Sequence, residues 1–174
     1  MAIVNVVNFN ANGAPTPFAQ TITDPNGPDV QPSALVVILS GHKVSVGALG
    51  TPQFRGRMSV GFANFTSQMA IGGSSEDGDT AINATADYRV DNAKVITLPS
   101  SVGGGGLEVD FTIASRAANS FTGNWSSASD FYGISLFVYG STVSASVEVI
   151  TGSASIGGVV SSTTLGKQPD VLIA

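Results

Sequence analysis

The chain contains no cysteine. That excludes disulfide scaffolds, zinc–thiolate centres and thiol nucleophiles. Charge is scarce as well: 11% of the 174 residues are charged, under half of the roughly 25% usual in globular proteins. Seven basic residues stand against twelve acidic ones, which argues against nucleic acid as a partner, since phosphates call for a Lys/Arg surface. Histidine occurs once, at His42. A Ser-His-Asp system would have to use that ring, and a histidine metal cluster cannot be built from it. No apolar run approaches the ~18–20 residues of a membrane helix; the longest is Ala34 to Leu39. Met1 to Phe9 lacks the basic n-region of a signal peptide.

The hydrophobic pattern that is present has a period of two. Ile3 to Phe9, Leu107 to Ile113 and Ser144 to Ile150 alternate apolar and polar residues, the pattern of half-buried antiparallel strands. In the second of these, Glu108 and Asp110 are expected on the solvent face. Ala34 to Leu39 and Ile134 to Tyr139 are continuous apolar runs, read as central strands buried on both faces. Gln20 to Thr23, Arg57 to Phe65, Ala81 to Tyr88 and Ala93 to Leu98 make further strands. Pro and Gly clusters punctuate these runs at Asp24 to Asp29, Gly72-Gly73, Gly103 to Gly106 and Gly157-Gly158. Ala114 to Asn119 is the one place where a short helical turn fits. Eight to eleven short strands with frequent turns predict an all-β protein, an antiparallel β-sandwich of jelly-roll or immunoglobulin-like type without substantial helix.

Two segments near the start recur near the end. Gln31-Pro32-Ser33-Ala34-Leu35-Val36 returns as Gln168-Pro169-Asp170-Val171-Leu172-Ile173, and Val4-Asn5-Val6-Val7 as Val147-Glu148-Val149-Ile150. The chain therefore divides into N-terminal strands and a Pro/Gly loop (1–30), a sandwich core (31–143), and C-terminal strands resembling the start of a second unit (144–174). Strands without a partner leave open ladder edges, which proteins normally cover. Val147, Val149, Val171 and Ile173 are thus candidate assembly contacts.

Chemistry-bearing patterns are few. Gly-x-Ser-x-Gly is absent, and Gly103 to Gly106 is followed by neither Lys-Ser/Thr nor a helix, so neither a nucleophile elbow nor a phosphate loop is present. Glu108 and Asp110, two residues apart on one strand face, are the only pair to consider for glycoside hydrolysis, and they read as an ordinary solvent face. The expectation is a non-enzyme without a cofactor. Glu76-Asp77-Gly78-Asp79 groups oxygen ligands around a tight turn, which makes Glu76, Asp77 and Asp79 a Ca²⁺ candidate, although the full Asp-x-Asp-x-Asp-Gly loop is missing. Trp125 and Tyr132 are candidate glycan contacts because sugars stack on exposed rings; the competing reading packs Trp125 in the core.

Three segments carry a family resemblance: Gln31-Pro32-Ser33-Ala34-Leu35-Val36, Ser59-Val60-Gly61-Phe62-Ala63 and Phe121-Thr122-Gly123-Asn124-Trp125-Ser126. In this order they resemble the β-sandwich repeats of tailed-phage and prophage virion proteins, over about 31–140. Ser33 stands where those repeats usually have an acidic residue, and Gly123 interrupts their aromatic segment. The resemblance implies a virion component such as a decoration protein, head appendage or tail-fibre module. It would be assembled in the bacterial cytoplasm, with other virion proteins and copies of itself as partners and with no membrane or nucleic acid contact. A glycan-binding, host-recognition module is the alternative expectation.

Overall fold

The computed structural model describes residues 2–11, 17–41, 55–64, 66–76, 85–99, 109–127 and 131–140. Ten strands lie in them, and no helix. They are β1 (Ile3–Ala11), β2 (Phe18–Thr23), β3 (Ala34–Gly41), β4 (Arg55–Ala63), β5 (Gln68–Glu76), β6 (Thr85–Asp91), β7 (Ile96–Leu98), β8 (Val109–Ala117), β9 (Ser120–Trp125) and β10 (Phe131–Tyr139). Two antiparallel sheets form: six strands in the order β1-β10-β3-β4-β5-β6, and four in the order β2-β9-β8-β7. The protein is an all-β sandwich. The first two strands lie on the last two, β1 on β10 and β2 on β9, as in a jelly-roll wrap, while β3 to β6 run as a meander within one sheet.

Residues 1–30 therefore give one strand to each sheet, and the Pro/Gly segment after β2 forms a turn. Asp24 starts it: its Oδ1 accepts from the Asn26 backbone N–H at 3.0 Å, and its backbone O accepts from Gly27 N. This is the Asx-type turn that Asp favours. The recurring segments Val4–Val7 and Gln31–Val36 lie in β1 and lead into β3, the two strands that flank β10. Their C-terminal counterparts, with Val147, Val149, Val171 and Ile173, lie outside the described residues.

The core is strongly aromatic. Phe111, Phe121, Trp125, Phe131, Phe137 and Tyr139 are all essentially inaccessible. Phe111 sits 4.5 Å from Trp125 and Phe121 5.3 Å from Phe137, centroid to centroid, within the range where aromatic pairs add to area burial. Gly123 lies under the Phe111 ring, and a Cβ there would come within 2.3 Å of its Cζ. The glycine that interrupts the aromatic segment is the space that Phe111 fills.

β7 packs its free edge down onto the six-stranded sheet. A Cβ on Gly61 would stand 1.7 Å from the Val95 carbonyl oxygen, and one on Gly72 1.5 Å from that of Thr97. The Thr97 N–H donates to Ser59 Oγ at 3.0 Å. The inward positions of β4 and β5 opposite β7 are accordingly small: Ser59, Gly61, Ala63, Ala70 and Gly72. Gly72-Gly73, expected as a turn, lies in the middle of β5 for this reason. Similarly, Ala114 to Ala117 continue β8 as strand, and only Ala118-Asn119 turn, with Asn119 at φ 46°, a left-handed conformation that Asn tolerates.

Candidate docking face

Two buried polar clusters hold the sandwich together. In the first, the Asp24 carboxylate, 1% exposed, accepts from Tyr139 Oη at 2.9 Å and from Asn5 Nδ2 at 2.8 Å. Burial, the hydrogen bond to Asp24 and its negative charge hold the Tyr139 phenol far above its usual pKa, so it remains a donor. In the second, Asp110 Oδ1 accepts from Thr97 Oγ1 at 3.0 Å, and Arg89 of β6 reaches within 3.8 Å of Asp110 Oδ2 while bonding Asp91 at 2.9 Å. The alternation predicts a solvent face for Asp110; it is instead buried. Thr97 beside it and Arg89 from the other sheet cover it, leaving 7% exposed. A hydrolytic pair with Glu108 loses this member to a structural role.

Trp125 is likewise removed from the glycan candidates. Its ring is wholly buried between Phe18 and Phe111, and Nε1 donates to Gln20 Oε1 at 2.8 Å, so it offers no stacking face. Tyr132 is exposed. Glu76 closes β5, while Asp77 and Asp79 lie outside the described residues, as do His42 and Glu108. Among the described residues no three His, Asp or Glu side chains gather as metal ligands.

A groove of about 560 Å³ opens beside the β8 bulge at Ile113/Ser115. Gln31, Asn64, Gln68, Asn92 and Arg116 line it, with no carboxylate. Much of its polarity is spent on the fold. Gln68 accepts from Ile113 N and donates to Ile113 O, Gln31 donates to Arg116 O, and Arg116 donates to the Asn64 carbonyl. Asn64 Oδ1 caps Thr66 N and Ser67 N.

The outer face of the six-stranded sheet has a different character. In antiparallel pairs, directly opposed residues share a face, so the registers define three rows across the sheet. The middle row is Asn8, Ile134, Ile38, Val60, Ile71 and Val90. One flanking row is Val6, Leu136, Val36, Phe62 and Met69, the other Asn10, Tyr132, Ser40, Met58, Gly73 and Tyr88. No charged side chain occurs in any row. Of nine large apolar side chains exposed in the described residues, all but Ile3 and Val30 lie on this face, among them Val6 (62%), Met58 (57%) and Tyr88 (81%).

β10 shows the consequence most plainly. Its sequence predicts burial on both faces, yet Ile134, Leu136 and Val138 are only half-buried and Tyr132 is open, while Phe131, Phe137 and Tyr139 face the core. β4 goes further. Its larger apolar side chains, Met58, Val60 and Phe62, point outward, because β7 takes the space that inward side chains at Ser59, Gly61 and Ala63 would fill. Contiguous exposed apolar faces of this kind are rare on monomeric soluble proteins. Compared with family models, curated proteins and solved structures, the chain matches none.

Proposed function

We propose that the chain is a non-enzymatic structural protein of a tailed-phage particle, a capsid decoration or head/tail appendage protein that assembles by burying the outer face of its six-stranded sheet. The observation that carries this reading is the uncharged apolar face, in which β3 and β10 have the sequence of doubly buried strands. Among the described residues β1 and β6 are the outermost strands that frame it, and strand edges are themselves assembly surfaces. Repetition on a particle turns weak contacts into stable attachment. The resemblance of the Gln31, Ser59 and Phe121 segments to virion β-sandwich repeats supplies the particle.

The test is co-purification. Particles released from cells carrying the gene are banded by density, and the chain is quantified by mass spectrometry. The wild-type chain bands with particles, and an Ile71→Lys variant that folds normally stays in the soluble fraction. Bands free of the wild-type chain defeat the reading. Carbohydrate binding is the second reading, supported by the carboxylate-free polar groove and the open Tyr132 ring. On a glycan array, binding lost in Asn92→Ala but kept in Tyr132→Ala places a sugar in the groove.

A further inference from the structure

We infer that the face takes a second copy of the same chain, the two six-stranded sheets stacking about a two-fold axis that runs along the strands between β3 and β4. This rests on the docking reading above and names its partner.

Size comes first. Six strands about 4.8 Å apart, each seven to nine residues long at about 3.3 Å per residue, present a surface on the order of 600–700 Å². That approaches the ~800 Å² per partner of a standard interface. Charge comes second. The chain carries a net charge of −5, yet the described rows of this face hold none of it. A second copy therefore brings no ion to be stranded on contact, whereas an average protein surface would bury unpaired charges against it.

Shape selects the symmetry. Under the stated two-fold, β3 lies over β4 of the other copy, β10 over β5 and β1 over β6, and each row faces itself. The Tyr132 row shows the fit: Tyr132 meets Gly73 of the second copy, Met58 meets Ser40, and Tyr88 meets Asn10. Large side chains thus face small ones at each step. In the other two rows apolar side chains meet apolar ones: Val36 faces Phe62 and Leu136 faces Met69, while Ile38 faces Val60 and Ile134 faces Ile71. In the Tyr132 row the β1-β10-β3 half is thus the size complement of the β4-β5-β6 half, which suits an isologous contact. Facing sheets pack about 10 Å apart with interdigitating side chains, which the large-over-small pairs allow. An axis across the strands instead puts Leu136 against Tyr132 and loses the match to Gly73.

Within one chain, Tyr132 and Gly73 lie three strands apart in the sheet, about 14 Å at sheet spacing, too far for an ion pair. This makes a charge rescue specific to the dimer. The wild-type full chain, Tyr132→Lys, Gly73→Glu and the double variant are compared by light scattering over a concentration series, with circular dichroism as the check on folding. The expected result is a wild-type dimer, single variants weakened by roughly a hundredfold as for an unpaired charge in a dry contact, and a dimer restored in the double variant. A wild-type monomer, a dimer indifferent to either single change, or failure of rescue in folded variants overturns the two-fold stacking. Binding of an apolar dye separates this from the parent reading. A monomer that binds the dye, and loses it on Tyr132→Lys, still has an open docking face for another partner. A monomer that binds none has no such face, and both readings fall.

Discussion

Replacing Gly72 by alanine tests the most constrained contact in the fold. The added Cβ would stand 1.5 Å from the Thr97 carbonyl oxygen, against 3.4 Å at the near edge of ordinary contact. The obstacle is backbone, so no rotamer change relieves it and β7 has to retreat by about 2 Å, an overpacking that costs about 1–3 kcal/mol. The retreat also pulls the buried Thr97 N–H from Ser59 Oγ, now at 3.0 Å, which adds about 1–3 kcal/mol for an unsatisfied donor. Together these remove about 2–6 kcal/mol from a stability of about 5–15 kcal/mol. With a urea slope of about 2 kcal/mol/M, the midpoint falls by about 2 M. Gly73→Ala is the internal control. It is the next residue, its register points it to the outer face, and in dilute, monomeric protein alanine there shifts stability by less than about 0.5 kcal/mol. Equal urea midpoints for the two variants would refute the docking of β7 and, with it, the reason why the larger side chains of β4 point outward.

Other outcomes follow from the buried clusters. Tyr139→Phe leaves the Asp24 carboxylate without one donor and loses about 1–3 kcal/mol in denaturant titration. The same change alters the alkaline limb. The folded protein keeps the Tyr139 proton beyond the usual pKa of 10.0, while the unfolded chain releases it there. Tyr139 therefore contributes stability in full below pH 10, and this falls by about 1.4 kcal/mol per pH unit above it; Tyr139→Phe lacks this slope, and parallel alkaline limbs would contradict the assignment. Trp125→Ala loses about 3–5 kcal/mol as a core truncation, so any glycan signal it lowers must fall with the folded fraction. A folded Trp125→Ala protein with selectively lost sugar binding would contradict the burial.

The sandwich is legible in the sequence because alternation of apolar and polar residues has a direct physical meaning: β1 and β8 show it, and Asp24 to Asp29 form the turn that their residue types demand. What fails to show is determined by contacts between elements distant in sequence. Gly72-Gly73 looks like a breaker until the Thr97 carbonyl is seen over the sheet. Asp110 looks solvated until Thr97 and Arg89 are placed beside it. The outer apolar face is half legible. Ile134 to Tyr139 announced burial on both sides, but only the strand order shows that Tyr132, Met58, Ile71 and Tyr88 share one surface. In β4 the alternation itself holds the missing signal: Met58, Val60 and Phe62 are the larger apolar set, and Ser59, Gly61 and Ala63 beside them are too small to form the core side of an ordinary strand.

The most direct measurement of the central claim is the rate of methionine oxidation at Met58, read by mass spectrometry on the chain when free and when assembled, either with its own copies or on the particle. Met58 is 57% exposed in a central strand of the uncharged face, and thioether oxidation follows access. The account predicts ready oxidation in the free chain and strong protection on assembly. Equal rates in the two states would mean that this face stays open when the protein is in place, and that it is not the surface through which it docks.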